Sequence, residues 1–195
     1  MSFWSAAGPE PKRNYRWVVR FGGRVVDSNL ANISYALKKV DKPKATVKEA
    51  SHAYLNHKFY YPGRLEWETI NMAFASVTRP DATQLINKVL INAGYGVPSI
   101  SVSPGPQVAT IGKNKFVGAL GSSIDIIQVD ADGQQTEKWS LYNPFFTNVT
   151  YGSLDYSNED IVEISCTVRF DWAVLAPAID PVEPTIAIPS GPGFP

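Results

Sequence analysis

The longest regular pattern in this chain is an alternation of apolar and polar residues between Ile161 and Trp172. The apolar positions are Val162, Ile164, Cys166, Val168, Phe170 and Trp172, and the polar positions are Glu163, Ser165, Thr167, Arg169 and Asp171. A period of two predicts a β-strand with one buried face and one solvated face. We therefore expect one strand over Ile161–Trp172, about twice the usual length of ~5–6 residues.

Shorter segments with the same period predict further strands. They are Tyr15–Phe21, Ile33–Val40, Trp67–Ala75, Ser123–Asp130, Thr136–Tyr142 and Phe145–Tyr151. Ile33, Tyr35 and Leu37 share one side of the second segment; in the third, Ile70, Met72 and Phe74 are apolar and Trp67, Thr69, Asn71 and Ala73 lie opposite. Asp132-Gly133 is a hairpin turn signal. The pattern as a whole predicts seven or eight strands.

The clearest predicted helix begins at Asp81. Asp81 can cap the helix, Gln84 is placed for a capping box, and Gly94 ends the helix. The apolar face is formed by Leu85, Ile86, Val89, Leu90 and Ala93. A shorter helix is predicted over Asn114–Leu120, stopped by Gly121. An amphipathic helix of this kind covers one open end or face of a sheet.

Between the second and third predicted strands, the segment Asp41–Tyr61 has no clear period. It mixes charged residues with aromatic ones and admits two interpretations: a short helix near Val47–Leu55 or a long hairpin loop. The Pro62-Gly63 pair that follows is predicted to form a turn.

These elements predict a mainly β protein: a β-sandwich or partly closed barrel with one flanking α-helix. Residues 1–14 are interpreted as an N-terminal arm, 15–175 as the β domain and 176–195 as a proline-rich C-terminal tail. We find no internal repeat and no second core.

The composition indicates that this chain associates with other protein chains. The 195 residues include 18 basic and 18 acidic side chains, so only 18% of the residues are charged. Aromatic residues make up 12%. Roughly 25% charge is typical of soluble domains, and chains of zero net charge associate more readily. The alternative is an ordinary β-rich monomer with a large core. No apolar run reaches the ~18 residues of a membrane span, and residues 1–14 contain no apolar stretch of a signal peptide.

Candidate catalytic and metal-binding residues are few. His52 and His57 lie five apart with Glu49 nearby, which is not a zinc-ligand spacing. Cys166, the one cysteine, falls on the apolar face of a strand and is interpreted as a buried structural thiol. Asp155, Glu159 and Asp160 lie in a turn, where acidic residues are common. The sequence therefore predicts no enzyme, no metal site and no cofactor.

A loose basic patch is formed by Lys38, Lys39, Lys42, Lys44 and Lys48. Asp41 and Glu49 interrupt it, so a solvated or partner-facing loop is favoured over tight nucleic-acid binding. The aromatic residues nearby favour protein contact, because aromatic side chains supply large buried area at interfaces.

Three segments together resemble the tail tube proteins of contractile-tailed bacteriophages. The first is Lys38–Pro43, the second runs from Tyr54 through Pro62-Gly63-Arg64 to Ile70, and the third comprises Glu137–Phe146, Gly152–Ser157 and Arg169–Ala173. The resemblance covers about Tyr15 to Leu175. The proline- and glycine-rich stretch Val97–Lys113 and the C-terminal tail do not match it.

The resemblance implies a structural subunit that forms hexameric rings stacked into a hollow tube. Genome DNA would pass through the lumen only transiently. The partners would be other copies of the chain, the tail sheath protein, and baseplate and tail-terminator proteins, with no membrane. The subunit would assemble in the host cytoplasm and reside in the tail of the virion.

The resemblance also assigns roles to two sets of residues. The long loop would contact neighbouring subunits or rings through Lys42, Lys44, Lys48, Glu49, His52, Tyr54, His57, Phe59, Tyr60 and Tyr61. The polar strand faces would line the lumen through Thr69, Asn71, Glu163, Ser165, Thr167, Arg169 and Asp171. Two alternatives stay open: a baseplate tube initiator or secretion-system tube protein, and a monomeric β-sandwich that binds glycans through Trp4, Trp67 or Trp139.

Overall fold

The computed structural model describes residues 11–22, 33–79, 81–96, 110–157 and 159–176. Within these residues, the strands are β1 (Trp17–Gly22), β2 (Leu37–Val40), β3 (Ala45–Tyr54), β4 (His57–Trp67), β5 (Ile70–Ala75), β6 (Ser123–Val129), β7 (Gln135–Tyr142), β8 (Phe145–Thr150), β9 (Glu163–Arg169) and β10 (Trp172–Ala176). The helices are α1 (Ala82–Asn92) and α2 (Lys113–Leu120), and residues 33–36 are also helical. The mainly β prediction is confirmed.

Eight strands form two antiparallel sheets, and the remaining two form a separate hairpin. Sheet 1 has the order β1-β6-β7-β10, and sheet 2 has the order β2-β5-β9-β8. β3 pairs only with β4 among the described strands. The chain therefore builds a two-sheet body and one projecting two-stranded arm, which we call the hairpin (residues 45–67).

The apolar faces of both sheets meet in one core. Sheet 1 contributes Val19, Ile124, Ile126 and Leu141, and sheet 2 contributes Ile70, Met72, Phe74, Ile164, Cys166 and Val168. Each of these ten side chains is at most 3% exposed. The predicted apolar faces of β5 and β9 are thus confirmed, because a period of two places alternate residues on the buried side.

The two helices pack on the same core. The Asp81 carboxylate accepts hydrogen bonds from the backbone amides of Thr83 at 2.9 Å and Gln84 at 3.3 Å, as expected of an N-cap. Ile86 and Val89 of α1 are buried in the core. Phe116 of α2 meets Phe145 and Phe146 of β8, with ring centroids 6.2 and 6.4 Å apart.

The prediction of one strand over Ile161–Trp172 is wrong. β9 ends at Arg169, and β10 begins at Trp172 in the other sheet. At the junction Phe170 is buried against Trp67, and the Asp171 amide donates to the Tyr142 carbonyl oxygen at 3.0 Å. Trp172 is 46% exposed and stacks on Tyr142, so it does not belong to the predicted buried face.

Three other expectations are corrected. Only the second half of Ile33–Val40 is a strand; residues 33–36 are helical, and Tyr35 is 88% exposed while Ile33 is buried. The interpretation of Val47–Leu55 as a short helix is wrong, since these residues belong to the hairpin. Trp67 is partly buried in the core instead of lying on the polar face.

Pro62 and Gly63 do not form a turn. Both lie inside β4, where Gly63 and Arg64 face the single residue Lys48, so that the register shifts by one. A Cβ atom on Gly63 would lie 2.8 Å from the Lys48 carbonyl oxygen. The pair therefore marks a β-bulge, a position that tolerates proline and glycine within a strand. The turn of the hairpin lies at Leu55-Asn56, where Leu55 has φ 51°.

The predicted bounds of arm, domain and tail stay predictions. Residues 1–10 and 177–195, and with them most of the arm and the tail, lie outside the described residues, as does most of Val97–Lys113. Within the described part of the N-terminal segment, Lys12 contacts β7 through Glu137 at 2.5 Å.

Candidate assembly surfaces

The hairpin carries a concentration of exposed apolar and aromatic side chains. Every residue from Ala45 to Glu66 is exposed. The exposed large apolar and aromatic residues in it are Val47, Tyr54, Leu55, Phe59, Tyr60, Tyr61 and Leu65. A two-stranded hairpin is only marginally stable in water by itself, and clustered exposed apolar residues mark interaction sites. The hairpin therefore has the properties of a protein-binding arm.

The register gives the outer half of the hairpin two different faces. The pairs Tyr54↔His57, His52↔Phe59 and Ala50↔Tyr61 lie on one face; Ala53↔Lys58, Ser51↔Tyr60 and Glu49↔Pro62 lie on the other. Partners directly opposite in an antiparallel pair share a face. One face is consequently aromatic and imidazole-rich, and the other is mixed, with the Lys58 ammonium 5.3 Å from the Tyr60 ring centroid.

Eight of the ten residues predicted for the contacting loop lie in the hairpin, and Lys42 and Lys44 lie at its root, in the segment directly before β3. The Lys42 ammonium points back to the body, where it donates to Glu137 at 2.8 Å and to Gln128 at 2.9 Å. Lys48 pairs with Glu66 across the hairpin at 2.7 Å. The contact surface predicted from sequence is thus brought together, with Lys42 serving instead as an anchor.

Glu137 is the centre of that anchor, and no pattern in the sequence indicates this role. Its carboxylate also accepts from Lys12 at 2.5 Å and from the Trp139 indole N–H at 2.6 Å. Partial burial raises the pKa of Glu137, but the hydrogen bonds from Lys12, Lys42 and Trp139 outweigh burial and lower the pKa to about 2. One carboxylate thus joins the N-terminal segment, the root of the hairpin and sheet 1.

An aromatic cluster fixes the other strand of the hairpin at the same place. Trp67, the last residue of β4, meets Trp139 edge-on at 6.4 Å and Phe170 at 6.0 Å. Trp67 and Trp139 are both partly buried against the core. Neither side chain therefore offers the flat exposed ring that the glycan-binding alternative requires, and Trp4, its third candidate, lies outside the described residues.

The residues predicted to line a lumen lie mostly on the outer face of sheet 2. Asn71 pairs with Thr167, and the Thr167 hydroxyl donates to the Asn71 amide oxygen at 3.1 Å. Ser165, Glu163 and Arg169 share this face by their alternation in β9, and Asn148 and Thr150 of β8 extend it. The face is polar and carries both charge signs.

Two of the predicted lumen residues lie elsewhere. Thr69 precedes β5 in the connection from the hairpin. Asp171 lies at the corner between β9 and β10, where it accepts from Lys113 at 2.5 Å and from Asn143 at 2.8 Å. These hydrogen bonds lower the pKa of Asp171. Asp171 thus links α2 to the junction of the two sheets instead of extending the polar face.

A second surface that sequence reasoning missed is the connection between β8 and β9. A groove of about 970 Å³ is lined by Lys38 and by residues of this connection: Gly152, Ser153, Leu154, Asp155, Tyr156 and residues 160–163. Leu154, Tyr156 and Ile161 are exposed at its rim. In the sequence, this surface could have been recognised from three large apolar residues that lie among acidic ones, in a segment without the alternation of a strand.

The candidates for chemistry are not brought together into a site among the described residues. Cys166 is buried and has no disulfide partner, and burial raises the pKa of its thiol to about 12. Among the described residues, no three His, Cys, Asp or Glu side chains come together as metal ligands. His52 and His57 share the aromatic face of the hairpin. No helix in the described ranges is long and apolar enough to cross a membrane.

Comparison with known proteins gives a likeness in fold. No family model matches the chain, and no curated protein matches it. A chain in the cryo-EM structure of the anti-feeding prophage cap, a tube-terminating cap, has a TM-score of 0.59 and 16% identity over 89% of this chain and 95% of its own. A chain in the 6-fold symmetrised baseplate of the anti-feeding prophage has a TM-score of 0.60 and 11% identity, covering 88% and 99%.

A third structure is the sheath/tube terminator of an extracellular contractile injection system called PVC. One of its chains has a TM-score of 0.58 and 17% identity, covering 87% of this chain and 99% of its own. At these identities the likeness establishes the fold alone. This protein has the fold of chains that occur in the cap, baseplate and tube-terminating parts of contractile injection systems.

Proposed function

We propose that this protein is the structural subunit of a contractile tail tube, assembling into hexameric rings that stack into a conduit for genome DNA. Its further partners are the sheath around the tube and the baseplate and terminator proteins at its ends. The subunit is non-enzymatic and requires no cofactor. It assembles in the host cytoplasm and resides in the tail of the virion.

The observation that carries this proposal is the exposed hairpin on a body with this fold. Residues 45–66 are exposed along their whole length and include seven large apolar or aromatic side chains. Such a surface on an isolated molecule has a free-energy cost of about 25 cal/mol for each Å² of apolar area left in water. Contact with another copy removes that cost.

The edges of sheet 2 support closure into a ring. β2 and β8 are its outer strands, and each has a row of backbone groups without a strand partner among the described residues. Strand edges left open invite pairing with other chains, and closure into a barrel removes them. Closure of sheet 2 across six copies would turn its polar face (Asn71, Glu163, Ser165, Thr167 and Arg169) toward the lumen. A lining of mixed charge suits DNA that must slide, because it lacks the basic excess that binds phosphates tightly.

A tube initiator at the baseplate, or a tube protein of a secretion system, is the second candidate. This candidate is supported by the likeness in fold to a chain in a baseplate structure and to chains in terminating caps. An initiator or cap nucleates or ends a tube of another chain and does not form long tubes by itself. Self-assembly into long tubes therefore separates a tube subunit from an initiator or cap.

The test is sedimentation and negative-stain electron microscopy of the purified protein over a wide concentration range. We expect rings and tubes of the unmodified chain. Phe59→Ser and Tyr61→Ser remove aromatic rings from the hairpin, and each should raise the concentration needed for assembly by at least about tenfold, which corresponds to ~1.4 kcal/mol. Tyr15→Ser, at a residue 73% exposed outside the hairpin, is the matched control and should assemble normally. A protein that stays monomeric at every concentration contradicts the proposal.

A further inference from the structure

The hairpin and the β8–β9 groove lie at opposite ends of sheet 2. At one end the Glu68 amide donates to the Lys44 carbonyl oxygen at 2.9 Å, just before β5 begins at Ile70. At the other end the Ser76 amide, just after β5, donates to the Val162 carbonyl oxygen at 2.8 Å. The six residues of β5 separate the two ends by about 20 Å. One copy therefore presents an arm at one end and a groove at the other.

The two surfaces have complementary charge. Residues 50–61 of the hairpin contain Lys58, His52 and His57 and no acidic residue. Residues 152–163, which include the groove, contain Asp155, Glu159, Asp160 and Glu163 and no lysine or arginine. Lys38, the one basic residue that lines the groove, is paired with Glu163, so acidic residues outnumber basic ones in the lining. Oppositely charged surfaces favour encounter and fix the register of docking.

The two surfaces also match in apolar character. Leu154 is 87% exposed and Ile161 is 69% exposed in the groove, and Tyr156 is fully exposed. At the tip of the hairpin, Leu55 is 85% exposed and Tyr54 is 63% exposed. A volume of about 970 Å³ has room for several such side chains. The hairpin strands, of ten and eleven residues, extend about 35 Å, which exceeds the height of the sheet.

We propose that the hairpin tip of one copy (Tyr54, Leu55, His57 and Lys58) docks into the β8–β9 groove of a second copy (Leu154, Asp155, Tyr156 and Ile161). This inference rests on the proposed tube function and names the receiving site for its inter-ring arm. The contact is heterologous, joining different surfaces at opposite ends of the molecule. Repetition of such a contact yields an open stack instead of a closed pair.

The first test separates stacking from ring formation. Leu154→Ser with Tyr156→Ser removes apolar side chains from an exposed loop, so the fold, checked by circular dichroism, should persist. We expect rings at the normal concentration and at least a tenfold rise in the concentration needed for stacks. Stacks that form as in the unmodified protein overturn the contact. Loss of the rings also overturns it, because the groove would then act within a ring.

A second test reads the contact directly. His57→Cys combined with Tyr156→Cys places thiols on the arm and the groove of every copy, while the native Cys166 is buried. We expect mild oxidation to give a ladder of disulfide-linked multimers from the double variant, and at most dimers from either single variant. A double variant that yields no more than the single variants overturns the inference. If the unmodified protein forms neither rings nor stacks, the proposed function itself is wrong.

Discussion

At the scale of single residues, Glu137 anchors the root of the hairpin to the body. Its carboxylate joins Lys12, Lys42 and the Trp139 indole, so three separate parts of the chain depend on one charge. Its side chain is only 14% exposed, where hydrogen bonds to a charged group are strong. The hairpin root is therefore fixed to the body although the hairpin itself is exposed.

We predict that Glu137→Gln lowers the free energy of unfolding at pH 6 by about 1–3 kcal/mol. The pKa of Glu137 is about 2 in the folded protein, below the 4.5 expected of a free glutamate. A carboxyl group whose pKa is lower in the folded than in the unfolded protein stabilises the folded state at pH values above its unfolded pKa. This stabilisation is lost as the pH falls from about 4.5 toward 2. The difference between the two proteins should thus shrink at pH 3, as measured by urea unfolding.

Glu66→Gln is the control for this effect. Glu66 pairs with Lys48 at 2.7 Å, but both side chains are more than half exposed. Exposed pairs contribute ~0–1 kcal/mol, so this variant should behave like the unmodified protein. Equal losses in the two variants would contradict a special role for Glu137.

At the scale of elements, helix α1 shows local sequence and tertiary packing in agreement. Asp81 caps the first turn through the Thr83 and Gln84 amides, and Ile86 and Val89 enter the core. The sequence pattern located this helix because its capping signal and its period of 3.6 coincide.

We predict that Asp81→Ala reduces the free energy of unfolding by about 1 kcal/mol, because two amides of the first turn lose their acceptor. Urea unfolding followed by circular dichroism measures the change. Asp81→Asn keeps a capping oxygen and should stay within a few tenths of a kcal/mol of the unmodified protein. If Asn is as destabilising as Ala, the charge of Asp81 matters more than its hydrogen bonds.

The hairpin shows the opposite relation between pattern and structure. Its strands carry no buried face, so the sequence shows no clear alternation over Asp41–Tyr61 and leaves a short helix and a long hairpin loop open. The sequence predicts a turn at Pro62-Gly63, whereas the structure has a bulge there and the turn at Leu55-Asn56. Proline and glycine indicate a position where the backbone departs from regular strand geometry. A β-bulge is such a position just as a turn is.

At the scale of the whole molecule, the core is separate from the surfaces that we propose for assembly. The body buries its apolar residues in one core shared by two sheets and two helices. The hairpin, the polar face of sheet 2 and the β8–β9 groove lie outside this core. Stability of the subunit and stability of the assembly should therefore respond to different substitutions.

We predict that replacing residues 47–65 with Asn-Gly leaves a folded subunit that does not stack into tubes. Thr46 and Glu66 face each other in the register, so a two-residue turn can close the shortened strands. All removed residues are exposed, and the free energy of unfolding should change by less than about 1 kcal/mol. Sedimentation should show no species larger than a ring at concentrations where the unmodified chain forms tubes. A large loss of stability would mean that the hairpin is part of the folding unit.

The sequence by itself determined the strands and helices that have a buried side. Ile70, Met72 and Phe74, the alternation Ile164–Val168 and the face of α1 were all assigned correctly. The physical reason is that burial on one side imposes a period of two or 3.6 on apolar residues, and this period is local. The family resemblance added the tube-like fold, which the comparisons support.

Only the tertiary structure decided where those elements go and which polar residues meet. The division of Ile161–Trp172 between two sheets depends on Trp67 and Tyr142, about 100 and 30 residues away in the chain. The anchor at Glu137 likewise joins residues from positions 12, 42 and 139. Contacts between residues distant in the chain leave no period in the sequence, because each contact is set by the packing of the whole core and not by the neighbours of either residue.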